Sequence, residues 1–163
     1  MRKLFFAIAA SFFLISMITA CTNDKISVDE DAVLFGDVMS GGYHYYQTGN
    51  LLSGISPSPH GSFKLRFNET AFAVLDSTGE LPSGSRFPVG SVIVKEVYSG
   101  NNNSLYAVIK KEPSNSLAKD GWLWAELNTD GSTHYSAGNK GSGCSGCHGG
   151  APNRDFIRTF DLH

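Results

Sequence analysis

The chain has 163 residues, with 13 lysines and arginines against 15 aspartates and glutamates and a formal charge of −2. So even a balance, with no clustered basic run, excludes the electrostatic footprint of a protein that binds nucleic acid or another polyanion. The cysteine count is only three, too few for a disulfide scaffold.

Residues 1–20 read as a secretion signal, because Arg2 and Lys3 precede the apolar run Leu4 to Met17, which is too short to span a membrane. The run ends in Ile18-Thr19-Ala20-Cys21, which resembles a bacterial lipobox. Cys21 is therefore expected to be a lipidated N-terminus holding an exported domain at a membrane, facing the periplasm. An ordinary cleaved signal with a leftover thiol is the plainer alternative. Thr22 is not the aspartate associated with inner-membrane retention, so the outer membrane is the expected site. The stretch that follows carries Asp24, Asp29, Glu30 and Asp31 and predicts a mobile tether over residues 21–40. Residues 41–163 are enough for one domain.

Gly41 to Gly61 mixes Tyr43, Tyr45 and Tyr46 with turn formers and predicts an irregular approach to the fold. From Ser62 to Phe67, Phe63, Leu65 and Phe67 alternate with Lys64 and Arg66, the period of a half-buried strand. Asn68 can cap a short helix with Glu69 in its first turn, in which Ala71, Phe72 and Leu75 share a face before Gly79. Three more strands are predicted over Gly90 to Tyr98, Leu105 to Lys111 and Gly121 to Leu127. The sum is an α+β class with β dominant: an antiparallel sheet, short helices, and a glycine-rich C-terminal loop from Gly138 to Gly150.

That loop holds Cys144-Ser145-Gly146-Cys147-His148. In a C-x-x-C-H motif the two thiols are spaced to add to the two vinyl groups of a haem, and the adjoining imidazole turns under the iron as an axial ligand. Competing readings are a redox disulfide, which lacks a surrounding βαβ pattern, and half a zinc site, which wants a second ligand pair. One covalent haem c is the expected cofactor, with Cys144 and Cys147 as thioethers and His148 as proximal ligand. Beyond the signal the only methionine is Met39, and the remaining histidines are His44, His60, His134 and His163. Any of these as a sixth ligand would make an electron-transfer module. An open sixth position is favoured instead, suited to binding or transforming a small molecule.

The stretch from about Ser58 onward resembles the cytochrome P-460 family, which includes the beta-type cytochromes c-prime. The resemblance is carried by Phe63-Lys64-Leu65-Arg66-Phe67-Asn68-Glu69-Thr70-Ala71, by Phe87-Pro88-Val89-Gly90-Ser91-Val92-Ile93-Val94-Lys95-Glu96, by Ile109-Lys110-Lys111, by Asp120-Gly121-Trp122-Leu123-Trp124, and by the haem motif. It implies a mostly antiparallel fold, often dimeric, with one five-coordinate haem c. In the P-460 cytochromes proper, which oxidise hydroxylamine, a lysine is cross-linked to the haem ring, and Lys95 matches it. The c-prime members lack the bond and bind NO and CO in a pocket lined by phenylalanines, for which Phe63, Phe67, Phe72 and Phe87 are candidates. Each of these is equally an ordinary core residue.

Lys95 shares a strand face with Ile93 and Val97, where an ammonium must be paired, deprotonated or modified, or must reach water past its own stem. The hydroxylamine-oxidising members also hold a carboxylate near the distal pocket, and the matching position is Tyr106. With no acid on that strand, the expectation is a gas-binding protein that takes NO or a related nitrogen species. The rival is a hydroxylamine or NO oxidoreductase with a cross-linked Lys95 and an unknown redox partner.

Overall fold

Alternation in the sequence becomes the two faces of one sheet. The computed structural model describes residues 28–56, 58–151 and 154–160. Its elements are α1 (Glu30–Met39), β1 (Tyr43–Tyr45), β2 (Leu52–Ser53), β3 (Ser62–Asn68), α2 (Glu69–Phe72), β4 (Val92–Ser99), β5 (Asn102–Lys111), β6 (Trp122–Asn128), β7 (Thr133–Tyr135) and α3 (Ser145–His148). All seven strands form one antiparallel sheet in the order β1-β3-β4-β5-β6-β7, and β2 pairs with β3 at the other end of that strand. The β-dominant α+β class and the four long strands stand as expected, with boundaries moved by one to three residues.

Register sorts the side chains. Phe67, Ile93, Ile109 and Trp124 lie in one cross-strand row, and Leu65, Lys95, Ala107 and Glu126 in the next row on the same face. The alternate residues, Val94, Val108 and Ala125 among them, point to the opposite face. Phe63, Leu65, Phe67, Ile93, Trp122 and Trp124 build one buried cluster, joined by Ile157 and Phe160 from the C-terminal segment. Val92, Val94, Val108, Leu123, Ala125 and Leu127 build the other, covered by Leu34 and Val38 of α1. The order of layers is therefore α1, sheet, C-terminal segment with α3.

The expectation of a tether over residues 21–40 is corrected for its second half. Glu30–Met39 is a helix whose N-cap, Asp29, accepts from the amides of Asp31 and Ala32, while Leu34 and Val38 are fully buried. Full burial of each such side chain contributes about 1.5–3 kcal/mol, enough to hold a short helix on the sheet. Asp31 is also not a solvated tether residue, since its Oδ1 accepts from the amide of Ala137 at 2.8 Å. Asp29, Glu30 and Asp31, three of the acidic residues that suggested a tether, are the cap and first turn, where carboxylates favour the helix dipole. The secretion signal, the lipobox and Cys21 lie outside the described residues, as does His163.

Three smaller differences have local causes. The approach segment contains β1 and β2, which zip onto β3. Asn68 caps α2 as expected, its Oδ1 accepting from Ala71 at 3.0 Å, yet the helix ends at Phe72. Downstream, the Asp76 carboxylate takes the amides of Thr78 and Glu80, a side-chain turn that competes with helix continuation to Leu75 and beyond. β4 and β5 are joined through Gly100 and Asn101, with Gly100 at φ +60°, so β5 begins three residues earlier than a turn over Gly100 to Asn103 suggested.

Candidate functional site

The glycine-rich loop is not wholly irregular, for Cys144 is the N-cap of α3 and Cys147 and His148 lie in its single turn. Gly141 starts that turn, its carbonyl accepting from the amides of Cys144 and Ser145 at 3.0 and 2.9 Å. It sits at φ +64°, and a Cβ there would come within 2.6 Å of the Trp124 ring. Only glycine lets the loop lie so close to β6, which sets α3 against the sheet.

His148 packs edge-on to Trp124, with ring centroids 4.9 Å apart and planes at 71°. Its Nδ1 is 2.7 Å from the carbonyl of Phe156, which accepts only if Nδ1 carries the proton. That fixes the tautomer and leaves Nε2 unprotonated, the usual arrangement of a ligating histidine. Burial pushes the His148 pKa down, partly opposed by the Phe156 carbonyl. Burial likewise raises the Cys144 thiol. Neither Cys144 nor Cys147 is in a disulfide.

Between α3 and the sheet lies a cavity with about 490 Å³ of empty space, its open mouth included, bordered by Cys144, His148, Trp124, Ile93, Leu65 and Ile157. Lys95, Glu126 and His60 also face it, and a smaller adjoining cavity adds Cys147 and Arg158. Two free thiols, an imidazole held in the ligating tautomer and an apolar cleft of this size fit a haem. Among the described residues no group of three or more His, Cys, Asp or Glu is placed to hold a metal ion directly.

Lys95 is the cavity's cation. Its Nζ lies 4.1 Å from the centroid of the Phe63 ring, and burial draws its pKa down from 10.5 to about 8. An amine in that range is partly neutral near pH 8 and nucleophilic.

Tyr106 does not face the cavity. It sits in the row of Glu96 and Leu127, on the α1 side of the sheet, with its ring 5.9 Å from the Arg66 guanidinium. The cavity's acid is Glu126, two positions along β6 from Trp124 and separated from Lys95 only by Ala107. The alternation Trp122-Leu123-Trp124-Ala125-Glu126 carried that signal: a carboxylate on the tryptophan face of a strand. His60 approaches Glu126 at 3.8 Å, and burial, with Lys95 and His148 adding to it, lowers its pKa from 6.5 to about 4. Nothing in the periodicity around Pro59-His60-Gly61 foretold this placement.

The other candidates separate. Phe63, Phe67 and Phe87 are buried in the core cluster of that face, Phe67 stacked between Phe87 and Phe160, and none of them lines either cavity. Phe72 is 40% exposed and stacks on His44 at 4.0 Å, outside both cavities. His44 is paired with Glu69 and His134 lies mostly in solvent beside Glu126. Met39 is 60% exposed on α1, so of the described residues weighed as a sixth ligand only His60 reaches the cavity.

An antiparallel sheet with an imidazole and two thiols facing an apolar cleft has the make-up of a haem protein of the cytochrome class. The family model described as Cytochrome P460 matches residues 57–159. The chain belongs to the cytochrome P460 family, and the family implies a haem cofactor. No curated protein matches the chain significantly.

Proposed function

We propose that the protein holds one covalent haem c through Cys144 and Cys147, with His148 on the iron, and that it oxidises a small nitrogen compound of the hydroxylamine type. The observation that carries the reading is the row Lys95–Ala107–Glu126, which puts an acid on the cavity face beside the matching lysine. When bound, the haem supplies an iron that coordinates nitrogen ligands and passes electrons on singly to an external acceptor. Oxidising hydroxylamine also releases protons, and a gas-binding site has no need of a base. Glu126 accepts a proton at a carboxylate oxygen, and His60, neutral at pH 7, stands 3.8 Å away. Lys95 is the group that would bond to the ring, its neutral amine being available in the weakly alkaline range; the C–N bond would replace one ring C–H and one N–H bond, with an external oxidant taking the two electrons.

The resemblance of Ile18 to Cys21 to a lipobox supports an exported, lipid-anchored protein facing the periplasm. The test is optical and mass spectrometric. Ferric and ferrous spectra of the purified protein, taken before and after adding NO, are followed by hydroxylamine turnover with an artificial acceptor. A strongly red-shifted ferrous band, a mass bridge between haem and the Lys95 peptide, and turnover are expected. An ordinary haem c spectrum with an NO response and no turnover overturns the oxidase in favour of gas binding.

A further inference from the structure

Behind His148 the chain is held by a buried carboxylate that lines neither of the two cavities beside that histidine. Asp155 is 1% exposed. Its two oxygens accept from Lys111 Nζ at 2.9 and 3.0 Å, from Arg86 at 3.2 Å and from the amide of Phe87 at 2.9 Å. Its own carbonyl accepts the indole N–H of Trp122 at 3.1 Å, and the Lys111 ammonium lies 4.6 Å from the centre of that indole. The end of β5, the start of β6 and residues 86–87 thus converge on one residue.

What this cluster holds is a strained turn. Asp155 and Phe156 both take left-handed backbone conformations, with φ of +49° and +72°. Such a conformation costs a residue with a Cβ about 1 kcal/mol or more, so it persists only where the surroundings over-determine it. The product of the strain is aim. The Phe156 amide turns back to the carbonyl of Ala151, and the Phe156 carbonyl meets Nδ1 of His148 at 2.7 Å.

We propose that Asp155 is a positioning residue for His148: by locking the left-handed turn it keeps the Phe156 carbonyl on Nδ1 and so sets how strongly Nε2 donates to an iron. This rests on the reading of His148 as the iron ligand. A carbonyl that draws on the Nδ1 proton makes the imidazole a more basic ligand, which favours ferric iron and lowers the reduction potential. Release of the turn lets the two φ angles relax to negative values and swings the carbonyl away.

The experiment uses the purified holoprotein, measuring the ferrous iron–histidine stretch by resonance Raman and the midpoint potential by spectroelectrochemistry. Asp155→Asn and Lys111→Gln are compared with wild type, and Lys111→Arg serves as the conservative rescue. The expected result is a stretch moved to lower frequency and a raised potential in the first two, with Lys111→Arg close to wild type. Should Asp155→Asn fail to accumulate, Lys111→Gln decides by the same two readouts. Unchanged frequency and potential overturn the positioning role while leaving the haem ligand intact. A wild-type protein without an iron–histidine band instead overturns the reading of His148, and the inference with it.

Discussion

Glu126 and Lys95 stand in one cross-strand row with the single methyl of Ala107 between them, on the face of the sheet that meets α3. Strand register alone brings an acid and an amine together there, although they are far apart in sequence.

Replacing Glu126 by Gln keeps the side-chain shape and removes the proton acceptor. Haem content and NO binding are expected to stay at wild-type levels while hydroxylamine turnover falls about 10²- to 10⁴-fold, the usual worth of a positioned base. Steady-state assays beside NO titrations separate the two effects; turnover surviving intact would remove Glu126 from the chemistry.

His60 makes stability sensitive to acid. Its pKa is about 4 in the fold against 6.5 in an unfolded chain, so between those values the unfolded state binds more protons. The contribution is therefore fully present above pH 6.5 and is lost as the pH falls towards 4, by about 3 kcal/mol at most. Urea melts at pH 7 and pH 4.5 should show a smaller drop for His60→Gln than for wild type. An equal drop in both proteins would assign the acid sensitivity to other groups.

With α1 packed on the sheet, Leu34→Ala is expected to cost about 2–5 kcal/mol, as for a leucine with no exposed surface. Substituting exposed Val33 by Ala should cost far less. Chemical denaturation of the pair distinguishes a docked helix from a passive leader, which would leave both variants at wild-type stability.

Gly141→Ala places a methyl against Trp124 and strains a left-handed position. The loop must back away from β6, so α3 shifts outward. We expect less haem incorporated per chain on pyridine haemochrome assay, with the far-ultraviolet circular dichroism of the sheet little changed.

The sheet was legible because Ser62 to Phe67 alternates with the period of a half-buried strand, while the later strands carry the β-branched and aromatic runs of strands buried on both faces. The haem motif was legible because its spacing is local. Glu126 shows in β6 as a carboxylate on the tryptophan face, whereas the position matched by the family resemblance is Tyr106, whose side chain points to the other face. α1 was obscured by its own cap, since carboxylates at a helix start look like solvated charge. The placement of His60 and Asp155 depends on contacts between segments distant in sequence, and no short window of sequence contains them.

Because α1 is bound to the face of the sheet turned away from α3, a load on the chain upstream of Asp29 enters the fold through Leu34, Val38 and the Asp31 to Ala137 hydrogen bond. It meets the strands from behind, where backbone ladders running from β1 to β7 share it. Another branch of it, through Ala137, reaches the loop that Gly141 turns into α3. A pull on that end is therefore divided between the sheet and the loop that carries His148.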